Sequence, residues 1–402
     1  MIAAPPTARS LSTPAVLLPG TAMIAITFGL ARYGYGLLLP DMKAELGIGP
    51  SAAGLISSLG YVSYLLANAG VVPLTSWRGA RVAVAAAASA AASGMAVVAL
   101  AGSAWAVALG VTIAGAAAGM AFPPYADIVD RHVAPPRRAV VWSTISSGTG
   151  WGVALAGPVA ILAGDQWRWA WASFVVIAVV VGIAATRLAP PREHAALRRA
   201  QLSPSWFLCP RSRPLLLSAV LVGAGSAVWW VFSVDAMQQA GMDTTATRVV
   251  YAVCGAACLL GSLSGYAFDR VGLRGGYLAS TALLALSLGL LGAAAADLGA
   301  ALVAAVLFGA FYAAVIAAHG VWSAEVFEQH PAAGLAAVST ALTVGTLVGP
   351  SLAGVVIDHG GHGVALVGAT VATGLALPFC PPSERRRAAL AEHRCTAAPV
   401  RR

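Results

Sequence analysis

The chain alternates long apolar runs with short polar connections. Twelve runs of about 20 residues follow one another, at 15–39, 52–75, 80–101, 104–126, 139–163, 169–187, 214–237, 247–268, 276–296, 299–323, 333–357 and 363–380. At a helical rise of about 1.5 Å per residue, such a run spans roughly 30 Å of hydrocarbon. Backbone groups in lipid need internal partners, and strands of a membrane barrel would be shorter and would alternate. The pattern therefore predicts an all-α membrane protein with twelve transmembrane helices. The longest polar connection, RLAPPREHAALRRAQLSPSWFLCPRSRP at 187–214, separates six runs from six. This divides the chain into a tail (1–14), a first half (15–187), a linker (188–213), a second half (214–380) and a basic tail (381–402). Pro and Arg dominate the linker, which predicts a cytoplasmic connection with one short surface helix around 193–201. The first apolar run is too long for a cleaved signal peptide, and it carries Arg32 and several glycines; it is expected to stay as helix 1.

Composition sharpens this reading. Of 402 residues, 59% are hydrophobic and only 10% charged, against about 25% charged in soluble domains. So few charges cannot cover a water-facing surface. The formal net charge is +9, and its distribution explains it. Of 24 Lys and Arg, 20 fall in the tails and the even-to-odd connections. Only Lys43, Arg168 and Arg248 fall on the other side, and Arg32 alone lies inside a helix. Positive charge marks the cytoplasmic side, so both termini are expected there, in a bacterial plasma (inner) membrane. The basic balance is a topology signal with some affinity for anionic lipid, and it gives no support to nucleic-acid binding. The five cysteines imply no disulfide framework. Cys254 and Cys258 sit one helical turn apart without His or acidic companions, which favours packing over metal binding.

The two halves repeat at a shift of about 193 residues. VPLTSWRGAR (72–81) faces GYAFDRVGLR (265–274), with Gly79 against Gly272. Gly157-Pro158 faces Gly349-Pro350, and IAGA (113–116) faces LFGA (307–310). Two six-helix halves related by an axis along the membrane normal explain the shift.

Arg32 is the anomaly. It lies about 7–8 Å past the middle of helix 1, where a charge costs about 2.5–3.5 kcal/mol on insertion scales. It should face a wet passage or a partner, and Asp41 and Asp235 are the candidate structural partners. Phe28, Tyr35, Gly36 and Leu39 share its face. Helix 2 carries Ser57, Tyr61, Tyr64 and Asn68 on one face; helix 10 carries Phe308, Tyr312 and His319; helix 11 carries Ser339, Thr343 and Thr346. The helix 11 residues are expected to bond their own backbone. Trp229 and Trp230 on helix 7 fit either the passage or an anchor at the outer interface. His319 falls near the cytoplasmic end, where a wet position is expected ahead of a proton role.

GYAFDRVGLR resembles the signature loop of the major facilitator superfamily, Gly-x-x-x-Asp-Arg-x-Gly-x-Arg, through Gly265, Asp269, Arg270, Gly272 and Arg274. The resemblance extends over the whole chain: twelve spans, a 6 + 6 division and a basic central linker. The signature usually stands between helices 2 and 3, where this chain keeps only Gly79 and Arg81. Gly157-Pro158 looks like a shortened form of the family's helix 5 motif. ARYGYGLLLPDM (31–42) further resembles a bacterial branch labelled YbfB/YjiJ-like. The resemblance implies a functional monomer in which helices 1, 4, 7 and 10 line a central path flanked by 2, 5, 8 and 11. It also implies a gate. Gly265 would let helix 8 approach a neighbour, Asp269 would cap helix 5 near Arg138, and Arg270 and Arg274 would pair with Glu325 or Glu328.

These readings converge on a secondary transporter that moves a small molecule, best a small organic anion, by alternating access. The expected substrate-binding set is Arg32, Tyr35, Tyr61, Tyr64, Asn68, Trp229 and Tyr312. The gating set is Gly265, Asp269, Arg270, Gly272, Arg274, Glu325 and Arg81. Gly157, Pro158, Gly349 and Pro350 serve helix packing. No acid stands in the middle of a span, which leaves Asp127, Asp235 and His319 as candidates for coupling to a proton or counter-ion. The competing reading within transport is proton-driven export of amphipathic drugs or metabolites. A polytopic membrane enzyme would need a cluster of reactive side chains, and none is present. Neither a catalytic group, a metal nor a cofactor is expected, and short loops argue against an attached sensor output.

Overall fold

A computed structural model describes residues 13–190 and 210–382. The N-terminal tail, most of the linker with its expected short helix, and the basic C-terminal tail lie outside the described residues. The described residues form helices and turns without a strand. Ten helical stretches are long and apolar enough to cross a membrane. Eight are single spans: α1 (Ala15–Leu46), α2 (Pro50–Arg78), α3 (Ala80–Ala99), α4 (Ala104–His132), α5 (Pro135–Ala163), α6 (Trp167–Leu188), α7 (Ser212–Gln239) and α10 (Leu298–Val326). The other two are doubled. Thr244–Ala294 turns at Gly272 and Ala333–Gly374 turns at Gly361, both with positive φ. Dividing them gives α8 (244–271), α9 (273–294), α11 (333–360) and α12 (362–374), and twelve spans in all.

The repeat is visible in the backbone. All positive φ angles among the described residues belong to six glycines, and they fall into three pairs. Gly47 and Gly241 end the first helix of each half, Gly79 and Gly272 join the second to the third, and Gly164 and Gly361 join the fifth to the sixth. Their separations are 194, 193 and 197 residues. Gly79 and Gly272 share nearly the same angles, φ 88° and ψ 163° against φ 73° and ψ 156°. A left-handed turn here is reserved for glycine because a Cβ would collide with the backbone. Helix caps repeat as well. Ser103 caps α4 by accepting a hydrogen bond from the Ala106 N–H, and Asp297 caps α10 by accepting from the Ala300 N–H.

The halves meet along three seams: α1 with α7, α2 with α11, and α5 with α8. Small residues make these seams close. At α2–α11, the backbone of Pro350 passes directly over Gly54, and that of Pro50 over Gly354, so a Cβ at either glycine would overlap a carbonyl oxygen. Lipid offers no hydrophobic force to bring helices together, so contact rests on such backbone approach and on polar contacts. The glycine-proline pairs serve packing in different ways. Gly157 faces Ala252 of the opposite half, whereas Gly349 faces Ala224 of its own.

Candidate substrate site and outer gate

Helix α1 is not continuous. Residues Ala25–Leu30 form a π-turn, Ala31–Tyr33 form a turn that keeps right-handed helical angles at Ala31 and Tyr33, and a second helical segment starts at Gly34. The widened turn keeps its backbone bonded, with Ala31 N–H donating to Ile26 O and Tyr33 N–H to Phe28 O. Such turns cluster at functional sites. The Tyr33 carbonyl accepts a hydrogen bond from the Tyr251 hydroxyl of α8, 2.8 Å away. The break is therefore held from the opposite half.

Arg32 sits on this break. Its guanidinium carbon lies 4.5 Å from the Tyr61 ring centre, 4.5 Å from Tyr64, 5.3 Å from Phe28 and 5.7 Å from Tyr33. Cation–π contact contributes about 0.5–1 kcal/mol per exposed pair and about 2 kcal/mol when desolvated. Four rings can offset most of the burial cost without a counter-acid. Arg32 makes no ion pair among the described residues, and its Nε is buried without a hydrogen-bond partner. Asp41 and Asp235, the partners expected from sequence, are engaged elsewhere, as described below. The rings explain why Arg32 needs neither.

The cavity beside Arg32 is lined by Tyr33, Tyr35, Ser57, Tyr61 and Trp230, with small residues of α1, α2 and α4 completing it. Trp230 stacks on Tyr33 at 4.1 Å and meets Phe308 and Tyr312 edge-on. Behind it, Trp229, Phe308 and Tyr312 form a parallel stack at 4.4 and 5.5 Å. Both tryptophans are nearly inaccessible, which corrects the interface-anchor alternative: they lie deep in α7, against α1 and α10. Of the expected substrate set, Arg32, Tyr35 and Tyr61 line the cavity, Tyr64 stacks on the guanidinium, and Trp229 and Tyr312 stand in the ring stack. Asn68 lies further along α2, outside the cavity lining. Sequence reasoning missed Tyr33, Tyr251 and the helix break; the spacing of Gly29, Gly34 and Gly36 around Arg32 was the available signal.

The three positive charges on the outer side are all paired. Lys43 of α1 reaches Asp235 of α7 at 2.5 Å, and Arg248 of α8 reaches Asp41 of α1 at 3.0 Å. Arg248 also donates to the carbonyls of Ala160 and Gly164. Arg168 pairs with Glu45 inside the first half at 2.5 Å. Asp235 takes a second donor, His362 of α12, at 2.7 Å. Further along the same edge, Ser51 donates to Asp358 and Ser58 to the Leu347 carbonyl. These contacts join the halves along the outer side of the seam, and the Tyr251–Tyr33 bond joins them at the centre.

The cytoplasmic side contrasts with this. Gly265, Asp269, Arg270, Gly272 and Arg274 are all exposed, and nothing lies within 4 Å of a Cβ placed at Gly265. Arg270 donates to Tyr266 of its own helix. Arg138 pairs with Asp130 at 2.6 Å and bonds the Val133 carbonyl, so it is occupied inside its own half rather than beside Asp269. Arg81 caps the end of α6 through the Ala189 carbonyl at 2.7 Å. The close approach of Gly265 and the capping by Asp269 expected from sequence are thus not made in this structure, because the halves are joined at their outer ends. Glu325 lies at the cytoplasmic end of α10, half-buried. Among the coupling candidates, Asp127 pairs with Arg131 one turn away. His319 is buried rather than wet: its ring bonds Ser218 at 2.8 Å and the Val315 carbonyl at 2.9 Å, under Tyr277 and Trp322. Thr343 and Thr346 donate to carbonyls of their own helix. The described residues hold no cluster of His, Cys and acidic groups able to bind a metal.

Residues 21–274 and 215–398 match the sequence model of the Major Facilitator Superfamily. The chain belongs to that superfamily. Solved structures share its fold at low identity. The nucleoside transporter NupG superposes with a TM-score of 0.76 at 14% identity, covering 90% of this chain and 98% of that one. A bacterial homolog of the human lysosomal transporter Spinster gives 0.72 at 14%, covering 99% and 100%. A D-xylose-proton symporter gives 0.68 at 15%, covering 91% and 96%. No curated protein sequence matches the chain. As a superfamily member the protein is an integral membrane secondary transporter, not an enzyme, and it works by alternating access of its two halves to a central site.

Proposed function

We propose that the protein carries a small organic anion, with Arg32 as the anion-binding group. One observation supports this most directly: a permanently charged guanidinium stands at a helix break beside the central cavity, held by rings and not by a carboxylate. A neighbouring acid would satisfy the charge and close the site to anions. Rings stabilise it while its Nε–H stays without a partner, and a guanidinium can grip a carboxylate or phosphate through two parallel bonds. The buried, unpartnered polar atoms of the site, Arg32 Nε, Trp229 Nε1 and Trp230 Nε1, are all donors. Tyr35, Tyr61, Tyr64, Trp229 and Tyr312 supply the walls of the passage. The aromatic stack favours a second reading, export of an amphipathic compound. The proposal includes a bacterial plasma membrane and a functional monomer of the YbfB/YjiJ-like branch, supported by the resemblance of residues 31–42 and by the superfamily.

In the cycle, the outer ion pairs close one face while the loop of Gly265, Asp269, Arg270, Gly272 and Arg274, with Arg81 and Glu325, closes the other. The two sets alternate, and the loop engages only when the outer pairs part. The test is counterflow in liposomes loaded with organic anions. The unsubstituted protein exchanges them, whereas Arg32→Ala inserts but does not, and Arg32→Lys exchanges poorly. Normal exchange by Arg32→Ala removes the site assignment, and exchange of neutral amphipathic compounds by both proteins favours the second reading.

A further inference from the structure

The outer gate holds an arrangement that alternating access leaves unexplained. One oxygen of Asp235, Oδ2, receives both Lys43 Nζ and His362 Nε2, while Oδ1 is buried with no partner. The two donors belong to different bodies: Lys43 to α1 of the first half, His362 to α12 of the second, alongside Asp235 itself. The Asp235 side chain is 1% exposed. When the outer face opens, α1 withdraws from α7 and takes the Lys43 ammonium with it. The carboxylate would then be left charged without the cation that now pairs it, in surroundings still lined by the apolar second half, which favours a replacement charge. The second half must find a positive charge of its own.

The geometry points to the Asp235–His362 pair as the site where the carrier loads a proton, the proton taking the place of Lys43 as the outer gate opens. The inference deepens the proposed function by locating its coupling ion, and it stands apart from Arg32. A carboxylate oxygen only accepts, so His362 Nε2 carries its hydrogen toward Oδ2. This leaves Nδ1 as the basic nitrogen, on a side chain that is 16% exposed. A proton from the outer solution adds to Nδ1 and converts the neutral contact into an imidazolium–carboxylate pair inside one half. Closing reverses the step: Lys43 returns, supplies the charge, and the imidazole releases its proton. Lys43 and the proton compete for one carboxylate, and that competition links protonation to gate position.

Among the described residues, the surroundings show these groups. Facing Asp235 and His362 are Lys43 and Tyr35 on α1 and the Phe232 ring on α7, 6.5 Å from the imidazole. The nearby Asp41–Arg248 pair is satisfied by its own bonds. On the neighbouring end of α11, Asp358 accepts from Ser51, and His359 is exposed with Nδ1 on the Val355 carbonyl. His is the side chain whose ordinary titration falls between about pH 5 and pH 8.

The test reads gate opening without substrate. Ser58 lies in the seam, bonded to Leu347 O and Ser351, so Ser58→Cys reports access from outside to an impermeant maleimide, with the protein lacking this substitution as background. In the otherwise unsubstituted protein, labelling relative to the same protein unfolded at each pH, which corrects for the loss of thiolate in acid, should rise several-fold from about pH 8 to about pH 5. With His362→Gln added, the rise should vanish and the gate stay shut. With Lys43→Met added, both positions of the gate rely on the proton, so labelling should be high and nearly flat with pH. A His362→Gln protein that keeps the original pH curve overturns the proposal, as does a Lys43→Met protein that keeps it. Because Arg32 is intact and no substrate is present, failure here leaves the anion reading standing.

Discussion

Helices α1 and α7 hold equivalent places in the two halves, yet they differ where it matters for transport. Each ends in a positive-φ glycine, Gly47 and Gly241, and each carries an aspartate near its outer end, Asp41 and Asp235, separated by the same 194 residues. Both aspartates reach a cation of the opposite half. Toward the membrane centre the likeness stops. α1 breaks at Ala31–Tyr33 and presents Arg32, while α7 runs unbroken through Gly225, the position 193 residues on, which packs against Thr373 of α12. The halves share the frame and the gate, where symmetric motion needs matching contacts. They differ at the centre, where a second guanidinium facing Arg32 would cost charge repulsion.

Substitutions can break or sharpen that contrast. The largest effect is expected at the asymmetric position. Arg32→Ala should abolish exchange and weaken anion binding about 10- to 100-fold, the equivalent of about 1.5–3 kcal/mol for a charge-assisted contact; isothermal titration with the best anion of the panel checks it. The mirror change, Gly225→Arg, should not create a second site but disrupt α7 packing against α12, seen as loss of folded protein on detergent chromatography. At the symmetric position, Asp41→Asn leaves Arg248 buried with carbonyls alone. Breaking a buried pair costs about 3–5 kcal/mol; the two remaining carbonyl bonds place this case near the lower end, read as a fall in melting temperature and faster outside labelling of the seam. Gly36→Ala should loosen the α1–α7 contact, since its Cβ would overlap the Trp230 carbonyl. Overpacking of this kind costs about 1–3 kcal/mol. Arg131→Gln removes only a half-exposed pair one turn from Asp127, so stability should change by no more than about 0.5 kcal/mol.

Much of the frame was legible before the structure. Apolar runs reported the spans because lipid imposes their length, and the shift of 193 between Gly79 and Gly272 reported the repeat because only glycine takes that turn. Arg32 stood out because a charge at that depth needs a reason. Other features were not legible. The turn at Ala31–Tyr33 lies between Gly29 and Gly36, which pack against the α5 and α7 backbones, and no local propensity encodes it. His362 joins Asp235 from 127 residues away. Trp229 and Trp230 read equally as passage lining or as interface anchors, because aromatic residues fit that belt equally well in a one-dimensional pattern. The cytoplasmic loop carries a recognisable motif, but a motif does not say in which state of the cycle its contacts form.

The most direct test of the central claim is thermal unfolding of the purified protein and Arg32→Ala, side by side, against small organic anions, neutral metabolites and lipophilic cations. A ligand at about 100 times its dissociation constant stabilises by roughly 2.7 kcal/mol. Stabilisation by anions in the unsubstituted protein alone is the predicted result. Equal stabilisation of both proteins, by any compound class, would contradict Arg32 as the anion-binding group.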